Sequence, residues 1–132
     1  VATVKIDSAV ATTLIVTHPI PPIARELAIS NRAQMDEIAL RIASTQGPVV
    51  VAGDLNATPW SGALRRFVAR AGLHDSRPWY AYHASWPASL GPLGIPIDHV
   101  LGNRQVVFTN RIVASEIGSD HLPVVVRCHL QK

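Results

Sequence analysis

The chain has 132 residues, of which 48% are hydrophobic and 16% charged, with a formal net charge of +3. This suits one globular domain with a core and excludes a disordered or low-complexity chain. No apolar run is long enough to span a bilayer, and Cys128, the single cysteine, excludes an intrachain disulfide or a cysteine-built zinc site.

Val10 to Thr17 is rich in β-branched residues and reads as a buried strand, broken by Pro19, Pro21 and Pro22. From Ile23 to Ser44, Leu27, Met35, Ile38 and Ile42 recur near one face of a predicted helix that Gly47-Pro48 stops. Val49 to Ala52 is a short apolar run, predicted as a central strand. Thr58-Pro59 has the form of an N-cap and first turn, opening a helix that buries Leu64, Phe67, Val68 and Ala71 and closes at Gly72. Arg65, Arg66 and Arg70 fall on its outer face, where a solvated surface is expected rather than a nucleic-acid ridge.

Residues Leu73 to Pro96 carry no regular pattern and are expected to be irregular. Strands are predicted at Ile97 to Leu101, Gln105 to Ala114 and Val124 to Leu130. The order strand, helix, strand, helix, then three strands predicts an α/β fold, a layered β-sheet with flanking helices.

The polar residues concentrate at strand ends. His18 ends the first strand, Asp54 and Asn56 follow the second, Asp98 sits inside an apolar strand, and Asp120 and His121 precede the last strand. A carboxylate in an apolar strand costs several kcal/mol, on the order of a buried unpaired charge, unless it is paired. One polar cluster gathering all six accounts for this economically. Carboxylates with an amide and imidazoles suit a hard, oxygen-seeking cation, and such an ion favours attack of water on a phosphate ester. His99 alternates with Asp98 and should face the other way, as a packing residue. His74, His83 and His129 lack a motif, and Trp60, Trp79 and Trp86 read as packing residues, with Trp86 placed to line a substrate rim.

Gly53-Asp54-Leu55-Asn56, Ile97-Asp98-His99-Val100 and Ser119-Asp120-His121-Leu122-Pro123 resemble, in order, three motifs of the endonuclease/exonuclease/phosphatase superfamily. Thr17-His18 is similar to its earlier histidine motif. The resemblance covers Val10 to Val126. It implies about one half of a DNase-I-like four-layer α/β sandwich, and a hydrolase that uses Mg²⁺ or Mn²⁺ on a nucleic acid, phospholipid or inositol phosphate. It implies that Asp54 orients or deprotonates the attacking water, and that Asn56 holds that water or the oxyanion. His121 and His18 would contact the phosphate, Asp98 would pair with His121, and Asp120 would belong to the metal site.

The resemblance also implies an Asn and a metal-binding Glu from a preceding half, and neither motif is visible. The expectation is therefore a single partial domain over residues 1–132, the C-terminal part of the catalytic domain, inactive by itself, with an uncovered sheet face that favours self-association into a homodimer. The variant Asp54-Leu55-Asn56-Ala57-Thr58-Pro59-Trp60 is similar to bacterial members, some with membrane segments ahead of the domain. That implies a membrane-anchored parent, and leaves the compartment open. The competing reading is a non-catalytic assembly domain that keeps the fold.

Overall fold

The computed structural model describes residues 11–131. Along the chain run β1 (Thr13–Val16), α1 (Arg25–Ala43), β2 (Val49–Asp54), α2 (Gly62–Ala71), β3 (Leu73–Asp75), a short 3-10 segment (Ala88–Leu93), β4 (Asp98–Asn103), β5 (Val106–Val113) and β6 (Val124–Leu130). The predicted first strand is shorter than expected, and Val10 lies outside the described residues. No helix among the described residues is long and apolar enough to cross a membrane.

Four strands form one sheet in the order β1-β2-β4-β3, and β5 and β6 form a two-stranded antiparallel ribbon. β1 and β2 are parallel, which α1 makes possible as the crossover; β4 runs antiparallel to both β2 and β3. The molecule is thus a layered α/β fold.

The core lies between the sheet and the two helices. Val49, Val51 and Leu101 of the sheet are fully buried and meet Met35, Leu64 and Phe67 of the helices. Alternation along each strand then assigns the faces. Ile15, Val49, Val51, His99 and Leu101 turn toward the helices, so Leu14, Val16, Val50, Ala52, Asp54, Asp98 and Val100 turn away from them.

Two local expectations are corrected. The second helix starts at Gly62, capped by Ser61, whose Oγ accepts from the Leu64 amide at 3.1 Å. Thr58 instead opens a turn, its carbonyl accepting from the Ser61 amide at 2.9 Å. The helix does close at Gly72, left-handed at φ 63° as a residue without Cβ allows. The second correction is β3, in the segment expected to be irregular. Three residues directly after a helix give no readable alternation, and pairing with β4 creates the strand.

Gly53 has a positional reason. With φ 149°, a Cβ there would lie 1.9 Å from the Thr17 carbonyl oxygen. Only glycine lets the chain after β1 pass this close to the end of β2, which brings the His18 segment beside Asp54.

Candidate active site

Asp54 is the last residue of β2, and its register partner across the antiparallel pair is Asp98, the first residue of β4. Both point to the face away from the helices, so two carboxylates share one strand end. Burial pushes the Asp54 carboxyl upward first. The Asn56 amide opposes this, the charge of Asp98 adds to it, and His18 and His121 oppose it; the result lies above the ordinary value of 3.8.

Two histidines face this pair. His121 Nδ1 lies 2.9 Å from Asp98 Oδ2, and its Nε2 lies 3.9 Å from Asp54 Oδ2. Burial pulls the His121 ring downward, but the Asp98 hydrogen bond and the charges of Asp98, Asp54 and Asp120 outweigh it and hold the ring above 6.5. His18 Nε2 is 3.4 Å from the same Asp54 oxygen and largely exposed. Asp54 Oδ2 is therefore the meeting point of both imidazoles.

Asn56 closes the turn after β2. Its amide N–H donates to Asp54 Oδ1 at 2.7 Å, and its side-chain Nδ2 donates to the Pro19 carbonyl at 2.9 Å. The left-handed backbone of Asn56, φ 49°, makes this turn possible. The side-chain amide thus fixes the His18-Pro19 segment to the Asp54 turn. From the other side, buried Asn31 of α1 donates to the Ile20 carbonyl at 2.9 Å.

Asp120 stands apart from the other five. Its Oδ2 accepts from the Trp86 indole Nε1 at 3.3 Å, and its carbonyl accepts from the Ala88 amide at 2.7 Å. The Trp86 ring also lies against His121, with centroids 6.3 Å apart. Ser85, next to it, is fully buried; its carbonyl accepts from Leu122 N, and its Oγ from the amides of Ile97 and Asp98 at 3.3 and 3.2 Å. The loop before β4 therefore ties the Asp120-His121 loop to the Asp98 strand. Sequence reasoning placed Trp86 near the site and missed Ser85, which carries no motif of its own.

The side chains His18, Asp54, Asn56, Asp98 and His121 come together, with Asp120 at the margin. Among the described residues no three His, Cys, Asp or Glu side chains gather as a metal-holding group. The donors are carboxylate and amide oxygens, the chemistry of a hard divalent cation, but they do not by themselves make a site for one.

An open groove of about 390 Å³ is lined by Trp60, Arg65, Arg77, Trp79, Tyr80 and Tyr82, and by none of the six candidate site residues. The Trp60 and Tyr82 rings stack with centroids 5.9 Å apart, and Trp79 is 89% exposed, against the expectation that these tryptophans pack. In the chain Trp60 lies four residues after Asn56, and Tyr82 four before Trp86.

The motif order, the carboxylate pair and the fold have one shared explanation. The profile of the Endonuclease/Exonuclease/phosphatase family matches residues 2–121. The chain belongs to this family. The UPF0294 proteins of Yersinia pseudotuberculosis and Yersinia pestis are each 34% identical to it over 97 residues, which is 70% of this chain and 34% of theirs. A functionally unknown conserved protein from Enterococcus faecalis has the same fold with TM-score 0.71 and 17% identity, over 89% of this chain and 50% of that one. The Xenopus laevis APE2 catalytic domain superposes with TM-score 0.67 and 22% identity, over 89% and 50%. A mannosyl-6-phosphatase from Bacteroides thetaiotaomicron does so with TM-score 0.63 and 18% identity, over 84% and 49%. The chain thus spans about a third of the length of these curated relatives and about half of these structures. The chain has the α/β layers of about one half of the DNase-I-like fold of these proteins.

Proposed function

We propose that this chain carries the acid–base and phosphate-contacting half of a metal-dependent phosphoesterase, which hydrolyses phosphodiester or phosphomonoester bonds by attack of water. The observation that supports this best is the row Asp98–His121–Asp54. Asp98 holds one nitrogen of His121, and the other faces the carboxylate at the end of β2. In this reading Asp54 accepts a proton from the attacking water as its oxygen bonds to phosphorus. His121, charged by its pairing with Asp98, donates toward a phosphate oxygen while the ester P–O bond breaks. His18 adds a second phosphate contact, and the Asn56 amide orients Asp54.

A divalent cation, Mg²⁺ or Mn²⁺, belongs to the proposal. Asp120 is its contributor here, and the remaining ligands are to come from the rest of the protein, as is the covering of the open sheet face. The stacked aromatic groove with its two arginines is the proposed contact for the group attached to the phosphate.

The test is hydrolysis of bis-p-nitrophenyl phosphate by the full-length protein with Mg²⁺, with Mn²⁺ and with EDTA. Turnover is expected with metal and none with EDTA. His121→Ala or Asp54→Ala should lower kcat by about 10²- to 10⁴-fold with the fold intact. Near-normal turnover in either variant removes these roles. The second reading is a non-catalytic assembly domain, favoured by the engagement of the Asp120 carboxylate with the Trp86 indole at the margin of the cluster. It gains if phosphodiesters, phospholipids, inositol phosphates and sugar phosphates all remain intact with either metal.

A further inference from the structure

At the β3 edge of the sheet lies a set of charged residues that the proposed chemistry does not use, His99 and Asp75 on the helix side and Arg111 reaching in from β5. His99 is 2% exposed, and each of its ring nitrogens meets an oxygen. Nε2 lies 2.8 Å from the Ala57 carbonyl, which can only accept, so Nε2 carries a hydrogen there. Nδ1 lies 3.1 Å from Asp75 Oδ2, with one proton between them. The other Asp75 oxygen lies 3.8 Å from Arg111 Nη1 and accepts from the Arg77 amide at 2.9 Å. The Arg111 side chain is 1% exposed; Nη1 donates to Ser76 Oγ and Nη2 to the Asp98 carbonyl, each at 2.9 Å.

Both ends of this chain of contacts finish on the backbone of the site. Ala57 directly follows Asn56, and Asp98 is itself the partner of His121. On its β3 side the Asp98 end also lacks a strand neighbour. β3 stops at Asp75, and Ser76 N to Val100 O is the last main-chain bond on that edge. Beyond it the Asp98 carbonyl is held by Arg111 and its N–H by Ser85 Oγ, where a longer β3 would otherwise supply backbone partners.

Stability alone does not explain such a group. Buried ion pairs replaced by well-packed apolar residues are often neutral or gain stability. Here Arg111 Nε is buried without a partner, so the group is not even fully satisfied. Its bonds do, however, tie β3, β4, β5 and the turn after β2 into one frame around the two catalytic segments.

We infer that Asp75, His99 and Arg111 are positioning residues, a buried relay that fixes the Asp54–Ala57 turn and the Asp98 strand end against each other. The inference rests on the proposed phosphoesterase reading for its kinetic consequence, and on the geometry alone for its structural one.

The experiment uses the full-length protein with two variants, Asp75→Asn and Arg111→Lys. The first keeps the size of the side chain and the bond from Arg77 N. The second keeps the charge and loses the two-pronged contact to Ser76 and Asp98. Both are assayed on bis-p-nitrophenyl phosphate, and amide hydrogen exchange is followed at Asn56, Asp98 and, as a core reference, Phe67. A positioning role lowers kcat by about 10- to 100-fold with KM unchanged. It also speeds exchange at Asn56 and Asp98 while Phe67 keeps its wild-type rate. Wild-type kcat in folded variants overturns the inference, and so does exchange that rises equally at all three amides. Failure of both variants to fold overturns it too, since the residues are then structural. If the wild-type protein hydrolyses no phosphate ester, the phosphoesterase reading falls, and the exchange rates alone decide for or against the relay.

Discussion

Asp54 and Asp98 stand opposite each other with like charge; His121 is shared between them, and His18 reaches Asp54 alone. Asp98 has one close partner, His121 at 2.9 Å, whereas Asp54 meets two imidazoles at longer range. The division fits the proposed roles, in which Asp98 orients His121 and Asp54 stays available to a water. Asp98→Asn keeps an oxygen for His121 but removes the charge that favours the imidazolium. It should lower kcat by about 10²-fold while leaving thermal stability near wild type. A variant with full activity would mean that the pairing is only structural.

Asp75 gives a second residue-scale prediction, about pH. Burial pushes its carboxyl up. The hydrogen bond and charge of His99, the Arg77 amide and the charge of Arg111 more than offset this, so the folded value lies below 3.8. A carboxyl that binds protons more weakly when folded stabilises the fold above its unfolded pKa, near 3.8. That stability is lost as pH falls through the depressed folded value. Urea unfolding from pH 6 down to pH 3 should therefore show a shallower loss for Asp75→Asn than for wild type. Equal slopes would exclude the pairing.

At the scale of elements, the site depends on two close approaches. Gly53 lets the end of β1 pass over β2, and a Cβ there would collide with the Thr17 carbonyl. Gly53→Ala should cost about 3 kcal/mol in urea unfolding and displace His18 from Asp54. Ser61→Ala, which removes the side-chain cap of α2, should cost about 1 kcal/mol in urea unfolding.

These elements also show what a sequence can disclose. β2 was legible because Val49 to Ala52 is apolar and bounded by turn residues, and α2 because its apolar positions recur at helical spacing. The strand-end placement of Asp54 followed from the same pattern, whereas Asp98, expected inside its strand, is the first residue of β4. His99 was readable as facing away from Asp98, but its partners were not. Asp75 lies 24 residues away in the chain and Ala57 42, and no local pattern encodes such contacts. Arg111 was hidden for the same reason. A charged residue in a half-exposed strand reads as a solvent-facing one until the packing of β5 against β4 buries it.

At the scale of the whole molecule, the described residues cover one face of the sheet with helices and only part of the other, where Val106 and Phe108 of β5 lie over Gly102. The helices cover Val49, Val51 and Leu101, whereas on the opposite face Leu14, Val50 and Val100 are partly exposed and Val16 is 69% exposed. The β5–β6 ribbon adds Ile112 and Val125, 48% and 51% exposed. An apolar sheet face of this kind calls for a cover. In the proposed reading the occupant is a second layer from the rest of the same domain, since the chain matches about half the length of these structural neighbours. The position to probe is Val16, because its exposure here makes the two cases diverge. In the 132-residue chain, Val16→Asp replaces one exposed side chain by another and should change unfolding free energy by less than about 0.5 kcal/mol. In the full-length protein the same substitution would bury an unpaired carboxylate under the second layer and should cost more than about 2 kcal/mol. A large difference between the two proteins places the cover over β1 and makes the cleft between the layers the natural entry to Asp54. Equal, small effects in both would leave this face open in the whole protein and turn attention to a second copy of the chain as its cover.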